Sequence, residues 1–524
     1  MNAIFKFAKG LPVEAICYGG SEKPAKQSHV CLLSYWPWAY CLFKICLKIN
    51  IINLRDIKMR KFVGIAVLLL TFVLSSNAQE KGWKGSSVDF KHGKLKISEN
   101  KRFLVFEDGT PFFYLGDTGW EMFHRLNKAE TEKYLENRRE KGFTVIQAVA
   151  LAELDGLNTP NAEGNKPLID NDPLKPDEAY FAHVDWAIKR AGEKGIFIGL
   201  LPTWGDKVDK QWGKGPVIFN KENAFIYGKW IGNRYKDYSN IIWINGGDRD
   251  GSGKNKEIWN AIGEGIKSVD KNHLMTFHPW GERSSSEWFQ ESEWIDFNMC
   301  QTGHGQRSYS IYKRIIVRDY DLKPVKPCFD GEPRYEDHPV GWKPETLGWF
   351  DDTDVRQAMY WNLFSGGFGH TYGCHPIWQM LTPGRDAVGL ARHNWYDVLD
   401  LPGAWDLIHA RRLMESRPFS SRVPDQSLIV TAYFPETDYV VVTRGDGYAM
   451  VYFPTGWDAT IQLDKIGAKT INAWWFDPHS GEAKAIGNIS GTGAKKFSTP
   501  TKDRGNDWIL VLDDAAKNFK APGQ

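Results

Sequence analysis

The chain has 524 residues, 42% hydrophobic and 25% charged, with a formal net charge of +2. This length allows two or more domains with a large core, and the near-neutral balance without a basic tail argues against a nucleic-acid partner. Its 23 Trp, 20 Tyr and 29 Phe are many; aromatic faces pack cores and also suit the C–H faces of sugar rings.

The first 78 residues read as material outside the mature protein. Met59–Ala78 has the layout of a secretory signal: Arg60 and Lys61, an apolar run from Phe62 to Leu74, then small residues at Ser76 and Ala78 before a cut at Gln79. The apolar run of about 13 residues is too short for a membrane span. A signal beginning at an internal Met makes residues 1–58 an upstream extension. Within it, Leu32–Leu54 is the alternative membrane-associated segment, against which Lys44 and Lys48 argue. Residues 1–58 carry eight basic and three acidic groups, and Arg60 and Lys61 add two more, so the mature chain stands at −5. It keeps Cys300, Cys328 and Cys374, an odd set that argues against a disulfide framework. An exported protein, periplasmic or on the cell surface, without an integral span in the mature chain, is the expectation.

From Gln79 the chain opens with lead-in strands at Leu95–Ser98 and Phe103–Phe106. Apolar, β-branched runs then alternate with amphipathic stretches. The runs are Phe112–Leu115, Phe143–Leu151, Gly195–Pro202, Ile241–Asp248, Leu274–Phe277, Ile295–Met299, Val325–Phe329 and Gly366–Tyr372. Helical spacing marks Thr131–Lys141, then Phe181, Val184, Ile188 and Ala191, then Ala224, Tyr227, Ile231 and Tyr235, then Ile258, Ile262, Ile266 and Val269. A long Asn-, Pro- and Asp-rich loop follows the second strand at Asp155–Asp177, a length that usually carries function. Eight strand–helix repeats over about 300 residues predict an α/β fold, a (β/α)8 barrel over 79–418. The open doubly wound sheet competes, but GDTGW after the first strand is not a Gly-rich phosphate loop. After a helix near Asp406–Glu415 the texture changes to short strands at Ser427–Phe434, Tyr439–Arg444, Tyr448–Phe453, Ala459–Leu463, Thr470–Phe476 and Trp508–Leu512. These predict a small antiparallel β-sandwich over 419–524.

Two strand-end carboxylates draw the chemistry together. Asp248 follows the fourth strand in IIWINGGD, and Glu332 follows the seventh in DGEP. Strands four and seven lie nearly opposite in an eight-stranded barrel, so both acids can flank one bond across its mouth. Glycoside hydrolysis needs this pair: a carboxyl of raised pKa protonates the leaving oxygen while an ionised partner acts as nucleophile or base. The alternatives are a helix cap for Asp248 and a structural ion pair with Arg334 for Glu332. Further strand-end polar and aromatic residues are candidate substrate contacts: Asp117, Trp120, Gln147, Trp204, Asn245, His278, Gln301, His304, Tyr372, His375 and Trp378, with Trp280 as a further platform. His278, His304 and His375 with Asp248 could ligate zinc, but their spacing matches no compact metal motif. No CxxC, HExxH or GxSxG occurs, so no metal or cofactor is expected and a serine hydrolase finds no support.

GDTGW (Gly116–Trp120), WINGGD (Trp243–Asp248) and DGEPRYE (Asp330–Glu336), in this order, resemble the apiosidase-like glycoside hydrolases, family 140. The resemblance implies a (β/α)8 retaining enzyme with Asp248 as acid/base and Glu332 as nucleophile, acting on an apiosyl linkage of pectic rhamnogalacturonan II. Much of the wider clan has Asn-Glu where Gly247-Asp248 stands here. The tail, with Ala473–Pro478 and Ser480-Gly481-Glu482, resembles the C-terminal domain named for collagen binding in such proteins. Its composition offers no triple-helix partner, and it is expected to pack on the barrel or help hold a glycan. The alternatives are another plant-polysaccharide linkage, or a non-catalytic barrel that only binds glycan.

Overall fold

The computed structural model describes residues 82–524; the expected extension and signal segment lie outside the described residues. Eight short parallel strands form the barrel wall among them: β1 (Leu115–Thr118), β2 (Val145–Val149), β3 (Phe197–Leu201), β4 (Ile241–Gly246), β5 (Met275–His278), β6 (Asn298–Gln301), β7 (Cys328–Asp330) and β8 (His370–Tyr372). Every residue of these strands is buried, as expected for strands covered on both faces. Backbone pairing runs β5-β4-β3-β2-β1-β8-β7-β6, with a two-residue antiparallel strand at Arg283–Ser284 beside β6. The seam between β5 and β6 closes by other means. Asp296 exchanges two bonds with Met275, its N–H to the carbonyl at 2.8 Å and its carboxylate from the Met275 N–H at 2.7 Å. Thr276 Oγ1 donates to the Phe297 carbonyl at 2.6 Å.

Helices α1 (Lys128–Glu140), α2 (Glu178–Glu193), α3 (Lys221–Tyr235), α4 (Gly253–Val269), α5 (Asp352–Phe364) and α6 (Pro402–Glu415) follow β1, β2, β3, β4, β7 and β8. Asn127, Asn220 and Asp351 cap α1, α3 and α5 in reciprocal capping boxes. Helices α3 and α4 pack closely because Gly228 and Gly265 present no side chain; a Cβ on either would sit 2.5 Å or less from a carbonyl oxygen of the other helix.

The structure changes three expectations about elements. Phe112–Leu115 is not one strand: Pro111–Phe112 completes a three-stranded antiparallel lead-in sheet with Leu95–Ile97 and Leu104–Phe106, and the barrel begins at Leu115. Strand eight is His370–Tyr372 alone. In the C-terminal part, Ser427–Phe434 is a 3-10 turn at Gln426–Leu428 followed by an extended segment, with one bridge from Ile429 to Ile461. Its place is taken by Ala483–Ser490 and Ala494–Phe497. Ala483–Ser490 is mostly exposed and so lacks the apolar alternation that marks a strand in sequence.

The antiparallel C-terminal part is a six-stranded sheet with a two-stranded ladder, Ala459–Gln462 with Ala494–Phe497, over a separate apolar core. It packs against the barrel. Tyr439 stacks on Tyr309 with ring centroids 4.1 Å apart, and its carbonyl accepts from Trp361 Nε1 at 2.8 Å. Arg356 of α5 joins Asp406 of α6 at 2.6 Å to Asp507 of the β-domain at 2.9 Å.

Candidate active site

The residues after β4 turn abruptly. Gly246, Gly247 and Asp248 all have positive φ, at 89°, 129° and 55°. A side chain at Gly247 is excluded twice, by that φ and by the β3 loop, since a Cβ would lie 2.9 Å from the Gly205 nitrogen. The turn is anchored on both flanks: Gly247 accepts from the Gly205 N–H at 3.0 Å and donates to the His278 carbonyl at 3.2 Å. Asp248 is thereby lifted to the mouth. It caps no helix, because α4 starts at Gly253 behind Ser252.

The Asp248 carboxylate accepts from Trp212 Nε1 at 2.6 Å. Trp212 belongs to the loop after β3. Arg249 holds that loop by donating to the Trp212 and Asp209 carbonyls, with its guanidinium 4.3 Å from the Trp212 ring centroid.

Glu332 faces two histidines. His278 Nε2 lies 2.8 Å from Oε2 and His304 Nε2 lies 3.0 Å from Oε1. His278 Nδ1 accepts from the Asp248 backbone N–H at 3.2 Å, which leaves the proton on Nε2 toward Glu332. One imidazole therefore touches the Glu332 carboxylate and the Asp248 backbone. Arg334 does not pair with Glu332: its guanidinium turns away to Gln357 Oε1 at 2.7 Å and to the Gln306 carbonyl.

The two carboxyls ionise differently. Burial, and next the negative charge of Glu332, raise Asp248 to about 6, against the opposing pull of His278, Arg249 and the Trp212 N–H. Burial alone would raise Glu332 too, but the N–H groups of His278 and His304 outweigh it and lower the carboxyl to about 2.

Both acids open on one cavity of about 600 Å3, which Trp120, Trp204, Gln301, His304, His375 and Trp378 also line. Four buried polar atoms on these walls have no hydrogen-bond partner among the described residues: Trp204 Nε1, Gln301 Oε1, His304 Nδ1 and Glu332 Oε2, the last approached by His278 Nε2 at 2.8 Å without hydrogen-bond alignment. In native folds such atoms call for an explanation, and on a cavity wall a ligand's hydroxyl groups supply one. His375 has both ring nitrogens engaged, accepting from Trp378 Nε1 and donating to the Gly389 carbonyl, so it is neutral and not available to a metal.

Four expected contacts lie elsewhere. Asp117 is wholly buried and takes Arg138 Nε at 2.5 Å and Tyr134 Oη at 2.6 Å, joining β1 to α1. Asn245 donates outward to the Trp259 carbonyl of α4 at 2.7 Å. Gln147 fills the barrel interior, donating to Thr371 Oγ1 and the Gly331 carbonyl. Tyr372 donates to Glu336 Oε2 at 2.6 Å. Trp280 stacks beside Trp212, 6.2 Å away at 13°, outside the cavity wall.

Sequence reading missed Glu153, Trp212, Lys214, Tyr335, His338 and Trp342, all on the cavity wall. Tyr335 lies within the DGEPRYE stretch and His338 two residues after it, so both could have been found there; the others come from loops without a motif. Glu153 is a third carboxyl of the wall. Burial, then the charges of Asp248 and Asp206, push it well above the ordinary carboxylate range.

A barrel presenting two carboxyls of split acidity in an aromatic cavity has the make-up of a glycoside hydrolase, and the comparisons agree. A family model described as "Apiosidase-like, catalytic domain" matches residues 98–421. A second, described as "Putative collagen-binding domain of a collagenase", matches residues 423–513. A solved structure called a glycoside hydrolase is 36% identical, covering 83% of this chain and 100% of its own, with a TM-score of 0.77. A glycoside hydrolase family 5 from Bacteroides vulgatus is 34% identical, covering 84% of this chain and 97% of its own, with a TM-score of 0.78. A search of curated proteins found no match. The chain is a glycoside hydrolase. It belongs to the apiosidase-like family.

Proposed function

We propose that the enzyme is an exported retaining glycosidase acting on an apiosyl linkage of pectic rhamnogalacturonan II, in the periplasm or at the cell surface. The observation that carries the mechanism is the opposed ionisation of Asp248 and Glu332 across one cavity. Asp248 protonates the leaving oxygen while ionised Glu332 attacks the anomeric carbon and forms a glycosyl-enzyme. Formation of that ester removes the Glu332 charge, which is the second largest cause raising Asp248. The Asp248 pKa then falls, and the same group accepts a proton from the incoming water. The unpartnered polar atoms of Trp204, Gln301 and His304 meet sugar hydroxyls. The family supports the apiosyl assignment, and the sequence pattern of residues 59–78 supports export.

The test uses an activated aryl apioside. Glu332→Ala abolishes turnover. Asp248→Ala slows deglycosylation, and azide restores the rate with release of a glycosyl azide of retained configuration. An azide product of inverted configuration, or full activity in Glu332→Ala, overturns the mechanism. Intact apiosides alongside turnover of another pentoside overturn only the sugar.

A further inference from the structure

Asp330 is the last residue of β7, ahead of Glu332 in the same turn, and it is wholly buried. Its carboxyl collects bonds from two loops. From the loop after β6, Thr302 Oγ1 donates to Oδ2 at 2.6 Å and the Thr302 N–H donates to Oδ1 at 3.2 Å. From its own loop, the Glu332 backbone N–H bonds the same carboxyl. Tyr312 Oη stands at the edge of this group, 3.4 Å from Thr302 Oγ1. Burial raises the Asp330 pKa to about 7, against the Thr302 donors and the Glu332 N–H.

Those two loops carry Glu332 and one of its donors. His304 follows shortly after Thr302, and its Nε2 lies 3.0 Å from Glu332 Oε1. Between them the Gly303 N–H donates to the Glu332 carbonyl at 3.0 Å. Asp330 therefore holds both ends of a short circuit, Glu332 on one side and the segment leading to His304 on the other. Burying a carboxyl costs stability. What it provides is acceptor capacity: a carboxylate has about four acceptor sites on two oxygens, whereas an amide has one oxygen. One side chain can thus serve donors from two loops at once.

We propose that Asp330 is a positioning residue for the nucleophile: it fixes the loops after β6 and β7 to each other, so that His304 stays on Glu332. It does not line the cavity and acts only through those two residues. This rests on the reading of Glu332 as nucleophile, and not on which sugar is cleaved.

Loss of the tie lets His304 leave Glu332. The His304 N–H is one of the two that hold this carboxyl low, so the Glu332 pKa rises and the acid limb of kcat/KM moves to higher pH. The other ionisable groups facing Glu332 are His278 at the end of β5, Asp248 after β4 and Tyr335 of its own loop. Asp330 bonds none of these among the described residues, so the alkaline limb, which belongs to Asp248, stays in place.

The test is the pH–rate profile of Asp330→Asn, Thr302→Val and the double variant, on the activated aryl glycoside that the unsubstituted enzyme turns over. Each single variant is expected to move the acid limb up by about one pH unit and to lower kcat about tenfold, with KM changed less than about twofold. The double variant should match the single ones, because both remove the same tie. Thr302→Ser keeps the hydroxyl and should restore the limb. An acid limb that stays in place in both single variants overturns the proposal, whatever their melting temperatures, and so do effects that add in the double variant. Thr302→Val keeps the test decisive if Asp330→Asn does not fold. Turnover by Glu332→Ala would instead overturn the reading of Glu332, so the two failures are told apart.

Discussion

The indole N–H of Trp212 donates to Asp248 at 2.6 Å, across the gap between the β3 and β4 loops. A residue without a motif thus sets the rotamer of the proposed acid and opposes the rise in its pKa. Trp212→Phe keeps the ring but removes the donor. The Asp248 pKa should then rise further, so the alkaline limb of kcat/KM, where the acid loses its proton, moves to higher pH. A hydrogen bond to a charged group contributes about 1.5–3 kcal/mol, so a shift of about one pH unit is expected in a pH–rate profile. A fall in kcat at an unmoved limb would reduce Trp212 to a stacking platform.

His278 and His304 supply the N–H groups that hold Glu332 ionised. Replacing either by Ala leaves burial less opposed, and the Glu332 pKa rises. The nucleophile is then protonated over more of the acid range, so the acid limb of the profile moves up in pH and kcat falls roughly 10²-fold or more, as for loss of other charge-stabilising donors. The His278 change should also disturb the alkaline limb, because its Nδ1 holds the Asp248 backbone. His304→Ala should not. A profile in which both substitutions act alike would contradict this division.

Gly247 occupies a φ of 129° with the Gly205 nitrogen 2.9 Å from where a Cβ would stand. Gly247→Ala must strain the turn or displace the β3 loop, at about 1–3 kcal/mol for the backbone alone. Lower thermal stability with a larger loss of kcat than of substrate affinity is expected. An unchanged melting temperature would show that the turn relaxes freely.

Asp117 is a structural acid. It is wholly buried against Arg138 and Tyr134, and removing one partner of such a pair leaves an uncompensated charge, at about 3–5 kcal/mol. Asp117→Asn should lower the denaturation midpoint strongly while the protein that remains folded keeps its KM. A raised KM at unchanged stability would restore the substrate contact.

What the sequence determined by itself follows from periodicity and chain order. IIWINGGD could be read because an apolar run buried on both faces ends in groups that cannot stay inside a barrel wall. Counting strands from it set Glu332 on the far side of the mouth. The strand-end polar residues could not be sorted in this way. Successive side chains at the end of a strand point alternately to the barrel axis and to the helices, and a register change of one residue exchanges them. Asn245 therefore meets α4, and Asp117 meets α1, while His278 and Gln301 reach the glycan side. The second group that tertiary structure alone decided sits in loops. Trp212, Glu153 and Lys214 have no spacing to betray them, and they come together because the loops after β2 and β3 converge over one end of the barrel. The chain order of the strands names the two acids; the convergence of the loops completes the cavity on which they open.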